Sequence, residues 1–83
     1  MTEKEWLNRV SEQLKGKTIV SISYLTKKKA SEMDWYRRPI VLQLNDGSYL
    51  IPQRDDEGND GGALWHLNSK PSKTHQELIP VMT

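Results

Sequence analysis

The side chains with the clearest chemical potential lie between Gln53 and Gly62, a segment we term the acidic loop. Its polar residues are Asp55, Asp56, Glu57, Asn59 and Asp60. Clustered oxygen ligands of this kind suit hard cations such as calcium or magnesium. Two carboxylates at alternate positions of an extended segment would also lie about 6.6 Å apart, a separation that supports acid-base catalysis.

The acidic loop does not fit a calcium-binding loop in either register. Such a loop needs glycine at its sixth position and a bidentate glutamate at its twelfth. Counting from Asp55 places Asp60 sixth and His66 twelfth, and counting from Asp56 places Gly58 at a ligand position. A weak divalent-cation site that uses the five polar residues therefore stays an alternative, and we predict no metal or other cofactor.

The glycines of the acidic loop favour a structural role for its acids. Gly58, Gly61 and Gly62 suit the positive φ angles of turns and oppose the extended run that a carboxylate pair would need. Asp and Asn side chains accept hydrogen bonds from amides of their own loop, as in Asx turns. We therefore predict a bend in which Asn59–Gly61 form a second hairpin turn and residues 63–67 leave it as a strand.

The remaining sequence offers no catalytic constellation. His66 and His75 are too few for a zinc site, and the chain has no cysteine. The glycines match no phosphate-binding loop, and no serine lies in a nucleophile elbow. We therefore predict that the protein is not an enzyme and has no catalytic residues.

A second chemistry is suggested by basic and aromatic residues near the middle of the chain. Lys27, Lys28 and Lys29 precede Trp35 and Tyr36, which are followed by Arg37 and Arg38. Cations beside aromatic planes can hold phosphates and stack bases. The same lysines also suit a solvated loop that guards a strand end, with one helical turn capped by Ser31. Because the net charge is only +1, weak nucleic-acid binding is an alternative and not the favoured function.

The favoured function is a non-catalytic interaction module that binds a protein partner or a second copy of itself. Aromatic residues and arginine are the types that dominate interface energies. The predicted surface consists of Trp35, Tyr36, Arg37, Arg38, Arg54, Asp55, Asp56, Glu57, Asn59 and Trp65.

Three elements must position these residues. A capping box at Thr2–Glu5 and apolar residues every four positions predict a helix over about 3–15. Alternation over 18–26 predicts a strand. A second strand over 39–44 meets Asp46-Gly47, a pair that favours a type I′ hairpin turn into a returning strand.

These elements predict one α+β domain over 1–83, with the N-terminal helix packed on a small, twisted antiparallel sheet of four or five strands. The β-rich part spans about 18–67, and a polar connector with a candidate edge strand spans 68–83. The strand count also allows an SH3-like half-barrel. The predicted core consists of Trp6, Val10, Leu14, Val20, Ile22, Tyr24, Ile40, Leu42, Leu44, Leu50 and Leu64.

Length and composition add expectations about surface burial, association and location. A chain of 83 residues buries only about 60–65% of its unfolded surface, so a dimer interface would add useful burial. The absence of cysteine fits a reducing compartment. No segment approaches the ~20 apolar residues of a membrane span, and the acidic, amphipathic start is no signal peptide. We expect a soluble cytoplasmic protein without a membrane partner.

A resemblance adds one expectation. The runs Trp35–Ile40, Leu44–Gly47 and Asp55–Trp65 resemble a group of small uncharacterised bacterial proteins with a tryptophan-arginine-proline strand and an acidic glycine-alanine-leucine loop. The resemblance covers roughly residues 17–65, and the loop is its most specific part. That group has no established activity, so the resemblance implies only that the loop is a shared feature of a small β-rich domain.

Overall fold

The computed structural model describes residues 2–67 and 76–83 and has an α+β architecture. Its elements are α1 (Glu3–Leu14), β1 (Ile19–Tyr24), α2 (Lys27–Glu32), β2 (Ile40–Leu44), β3 (Tyr49–Leu50), β4 (Leu64–Leu67) and β5 (Gln76–Ile79). The first three strands form one antiparallel sheet in the order β1-β2-β3, and β4 pairs with β5 in a second. The predicted class is confirmed, although the described strands divide between two sheets and close into no barrel.

Helix α1 begins at Glu3 because Thr2 caps it. The Glu5 amide donates to Thr2 Oγ1 at 3.2 Å, which satisfies one of the unpaired N–H groups of the first turn. The Thr2 hydroxyl donates in turn to the Glu5 carboxylate at 3.1 Å. The helix ends at Leu14, and Gly16 then adopts a φ of 78°, which glycine takes at little cost.

Strand β1 is one of the two edge strands of the three-stranded sheet. Ile22 lies opposite Leu42 and Tyr24 lies opposite Ile40, but the register shifts between Ile19 and Ser21. This shift is a β-bulge, so the regular part of the strand begins at Ser21.

Strands β2 and β3 form the predicted hairpin with a different turn. The Leu44 amide donates to Ser48 O at 2.8 Å and the Gly47 amide to Leu44 O at 3.0 Å, which leaves a three-residue loop. Type I′ needs positive φ at both Asp46 and Gly47, yet only Gly47 has it, at 88°. The hydroxyl and amide of Ser48, followed by Lys17, lower the pKa of Asp46 to about 2. These bonds hold the Asp46 carboxylate over the turn.

Helix α2 lies where the sequence pattern predicts a loop. The Thr26 hydroxyl, and not Ser31, caps it by accepting from a first-turn amide at 3.1 Å. At its other end the Asp34 amide donates to Ser31 O at 3.1 Å, and the Trp35 amide donates to Ala30 O at 2.8 Å. These two bonds define a Schellman motif, in which Asp34 takes the left-handed position that glycine usually occupies, with φ 58°.

The second sheet confirms both predicted C-terminal strands. Leu64 lies opposite Ile79, and Trp65 lies opposite Leu78. The predicted polar connector, with His75, falls on residues 68–75 and lies outside the described residues.

The C-terminal segment is attached to the first sheet by backbone and side-chain bonds. Arg38 and Met82 exchange two backbone hydrogen bonds, of 2.8 and 2.9 Å. The Tyr24 hydroxyl donates to Pro80 O at 3.0 Å. These bonds connect the segment after β5 to both β1 and the start of β2.

The core residues come from α2, the segment after it and β2, and the core is smaller than the predicted one. Its buried apolar members among the described residues are Ala30, Trp35, Pro39, Ile40, Val41 and Leu44. The prediction is correct for Ile40 and Leu44. It is wrong for Trp6, Val10, Val20 and Ile22, all of which are exposed. Trp35, which follows the Schellman motif, is buried, while α1 buries no residue.

Candidate interaction surfaces

The acidic loop is closed by backbone bonds at its base. Gln53 and Gly61 form a β-bridge, the Arg54 amide donates to Asp60 O at 3.0 Å, and the Gly62 amide donates to Pro52 O at 3.0 Å. The bend therefore spans residues 54–60, which corrects the predicted tight turn at Asn59–Gly61. A side chain at Gly62 would come within 2.7 Å of the Gln53 backbone, so the closure requires glycine there.

Asp55 holds the interior of the acidic loop. Its Oδ1 accepts from the Glu57 amide at 3.0 Å, and its Oδ2 accepts from the Asn59 side chain at 2.9 Å. These bonds form the Asx turn that the sequence predicts. The Asn59 amide group is the main cause that lowers the pKa of Asp55 below its ordinary value. Arg54 Nε lies 3.8 Å from Asp55 Oδ2, and both side chains are partly solvated, so this pair adds little.

Asp60 attaches the acidic loop to the segment before β2. It is the buried acidic residue among those the structure describes, with 4% of its surface exposed. Its Oδ1 accepts from the Arg37 amide at 2.9 Å and from the Gly61 amide at 2.8 Å. Burial raises the pKa of this carboxyl, but the amides of Arg37, Gly61 and Tyr36, together with the Arg54 charge, outweigh burial and leave the pKa below its ordinary value. The charge is thus satisfied internally.

Trp35 provides the second attachment of the acidic loop. Only 7% of its surface is exposed, and its indole Nε1 donates to Gly58 O at 2.9 Å. Trp35 therefore belongs to the core, which corrects its predicted place on the interaction surface. Gly58 has a φ of 76°, and a side chain there would lie 2.9 Å from Gln53 Oε1, so glycine is required where the ring meets the loop.

The other predicted surface residues have mixed positions. Tyr36 is 88% exposed and Trp65 is 52% exposed. Exposed polar members are Arg37, Arg54, Asp56, Glu57 and Asn59, whereas Arg38 and Asp55 are half-buried. The bonds of Trp35 and Asp60 bring the loop beside Tyr36 and Arg37. Acidic, basic and aromatic groups are therefore close together there, but the acids are partly used by the loop itself.

The acidic loop provides no shared metal site in the geometry described. Over residues 2–67 and 76–83, no three histidine or acidic side chains lie close enough to hold an ion together. Asp55 and Asp60 direct oxygens at amides of their own loop and of Arg37. The bend therefore accounts for Asp55 and Asp60, whereas Asp56 and Glu57 are exposed.

The basic residues meet an exposed aromatic ring in one cleft. Lys27, Tyr36 and Arg38 line an open cleft of about 390 Å³ together with Asp34. The Arg38 guanidinium donates to Leu25 O at 3.3 Å, and its Nε is buried without a partner among the described residues. Lys28, Lys29 and Arg37 do not line this cleft.

Sequence reasoning missed a second feature, the exposure of apolar residues on α1 and on β1. We define the α1–β1 apolar set as the exposed residues Trp6, Leu7, Val10, Ile19, Val20 and Ile22. Val20 is 59% and Ile22 63% exposed, although both types are usually buried. The signal available in the sequence was the run Ile19–Leu25, which contains no charged residue.

The Trp6 ring is covered only in part. Arg9 places its guanidinium carbon 5.8 Å from the ring centroid, a cation-π distance, yet Trp6 stays 52% exposed. Val10 and Leu14 line a cleft beside Tyr49 and Leu50, so the end of α1 lies near the β2–β3 hairpin. The first turns of α1 consequently present apolar surface to solvent.

Comparison with known proteins found no matching family, curated protein or solved structure. The resemblance to the bacterial group therefore remains a prediction. No helix in the described part of the chain has the length and apolar character needed to cross a membrane.

Proposed function

We propose that the protein is a non-catalytic interaction module that self-associates through the α1–β1 apolar set. The observation that carries this proposal is the exposure of six large apolar side chains on two consecutive elements. A contiguous exposed apolar patch on a small protein usually marks an association site. The lack of cysteine supports a reducing location such as the cytoplasm for this module.

The total surface supports association. The chain exposes 6813 Å², which is about 1,700 Å² more than a compact monomer of 9.6 kDa is expected to expose. A standard interface removes about 800 Å² from each partner. The radius of gyration is 14.3 Å, compared with about 12 Å for a compact domain of this length. The excess over the compact value is larger than the area that a standard interface removes from one partner.

The small core gives association an energetic reason. Its six apolar members over residues 2–67 and 76–83, from Ala30 to Leu44, are few for a domain of this size. Net stability for this length is about 4–12 kcal/mol, and binding to the folded state adds to it by mass action. A second copy that covers Val20 and Ile22 would supply the apolar burial that α1 does not provide.

The test is a pair of matched variants measured by size-exclusion chromatography with light scattering. Ile22→Lys places a charge within the α1–β1 apolar set. Tyr36→Lys is the control, because it introduces the same charge outside that set, at a side chain that is 88% exposed. We expect the wild type and Tyr36→Lys to show twice the monomer mass at high concentration. Ile22→Lys should remain monomeric, because Ile22 is already 63% exposed and the monomer tolerates the change.

Two results would overturn the proposal. One is a wild type that stays monomeric up to about 1 mM, a concentration at which even weak association is visible. The other is dissociation by Tyr36→Lys but not by Ile22→Lys, which would return the interface to the surface around Tyr36 and Arg37.

A second candidate function is weak nucleic-acid binding in the cleft of Lys27, Tyr36 and Arg38. The observation that favours it is the meeting of two cations with an exposed ring, since such rings stack on bases. Asp34 in the same cleft opposes it. Two phosphate contacts would give a salt slope near −1.4 for single strands, so affinity for an oligonucleotide should fall about 25-fold per tenfold rise in salt. An affinity below detection at low salt would remove this candidate.

A further inference from the structure

Strand β1 has an open edge with unpaired backbone groups. It is the outer strand of its sheet, and the Leu25 amide donates inward to Pro39 O at 3.0 Å. Because backbone groups alternate in direction along a strand, those of Ser23 also face β2. The amides and carbonyls of Ile22 and Tyr24 therefore face outward, and no backbone group of the described residues bonds to them.

This edge lacks most of the features by which proteins prevent edge pairing. Such features are charged residues, prolines and bulges. The run Ile19–Leu25 contains neither charge nor proline, and β1 has one bulge, near Val20. An uncharged strand can also pair with an identical strand without placing like charges opposite each other. The edge is therefore suited to a second copy of itself.

The bulge selects one register. Antiparallel self-pairing must bond the outward residues, and a register centred on Ile22 would place Tyr24 opposite the irregular Val20. A register centred on Ser23 pairs Ile22 with Tyr24 of the second copy and avoids the bulge. Each of these two symmetric pairs exchanges two backbone bonds, which gives about four bonds between the chains.

We infer that β1 pairs antiparallel with β1 of a second copy, with the two Ser23 residues opposite each other, so that two sheets join into one of six strands. This inference rests on the proposed self-association and specifies its geometry. The backbone pairing explains why a second copy is the partner, since the edge is complementary to itself. The excess surface described above exceeds what each copy would bury.

A disulfide test distinguishes this register from other dimers. The chain has no cysteine, so Ser23→Cys introduces one thiol at the centre of the proposed pairing. The opposed Cα atoms would lie about 4.5 Å apart, within the range that a disulfide spans. Ser21→Cys is the matched control, because it is an exposed serine on the same face. In this register its two copies lie about 13 Å apart, beyond disulfide reach.

After mild oxidation at equal concentration, most of the Ser23→Cys protein should run as a disulfide dimer on a non-reducing gel. The dimer fraction should be at least tenfold larger than that of Ser21→Cys. If the wild type sediments as a dimer, equal cross-linking of both variants, or no cross-linking of Ser23→Cys, would overturn the β1 register and leave the proposed self-association standing. A wild type that is monomeric would instead overturn the proposed function.

A measurement on the wild type covers the case in which a variant folds poorly. Hydrogen exchange of the Ile22 and Tyr24 amides with solvent should slow by at least tenfold as protein concentration rises, because these amides donate hydrogen bonds to the second copy. Exchange that is independent of concentration, in a protein that dimerises, would contradict the pairing.

Discussion

Replacing Trp35 by phenylalanine tests whether the acidic loop is held by the indole. The change keeps an aromatic ring in the core but removes the donor to Gly58 O, a bond of 2.9 Å from a side chain that is 7% exposed. Losing one hydrogen bond and leaving its acceptor unpaired costs about 1–3 kcal/mol. Against a total of about 4–12 kcal/mol for a chain of this length, this loss is large.

The assay is urea unfolding followed by far-ultraviolet circular dichroism, at one fixed protein concentration so that association does not vary. With a slope of about 1–3 kcal/mol/M, a loss near 2 kcal/mol lowers the midpoint by about 1 M. The matched control is Trp65→Phe, whose ring is 52% exposed. That variant should stay within about 0.5 kcal/mol of the wild type.

Equal losses in the two tryptophan variants would refute the reasoning. So would a Trp35→Phe protein as stable as the wild type, because the bond between the ring and the loop would then contribute nothing measurable.

Three further predictions concern the backbone and the carboxylates. Asp34→Gly should stabilise the protein by about 1 kcal/mol in urea unfolding, because Asp34 has a φ of 58° where glycine carries no Cβ penalty; a loss of stability would contradict the Schellman assignment. Gly61→Ala should cost about 1–3 kcal/mol, since its Cβ would overlap the Pro39 side chain and lie 2.9 Å from Arg37 O; a neutral result would argue against this close approach. Acid should destabilise the fold, because carboxyls whose pKa values fall on folding leave the unfolded state with more bound protons. Stability should be constant above about pH 5 and fall as the pH drops through 3.8 towards 2, and thermal melts that do not change over this range would contradict it. The carboxyls concerned are Asp46, Asp55 and Asp60.

The local elements could be predicted because their signals are local. The cap at Thr2, the turn glycine Gly47 and the alternation of β1 each depend on a few neighbouring residues, and each element is present. The turn type between β2 and β3 was not predictable from Asp46-Gly47 alone. The same pair also fits a three-residue loop in which only the glycine has positive φ.

The core could not be predicted from periodicity, because periodicity does not identify the partner of an apolar face. Trp35 follows a short helix whose end motif turns it inward, and that motif uses Asp34 in place of the glycine that would have revealed it. The buried apolar residues come from α2, the segment after it and β2, and none comes from the apolar stripe of α1. The acidic loop was correctly predicted as a bend, whereas the buried position of Asp60 depends on a contact with Arg37 that lies 23 residues away.

Sedimentation equilibrium of the wild-type protein over a concentration series at two salt concentrations tests the central claim most directly. Apolar association through the α1–β1 set predicts a mass that rises towards twice the 9.6 kDa of one chain, with no weakening at high salt. A constant mass of one chain would contradict the account, and so would a dimer that dissociates as salt is raised.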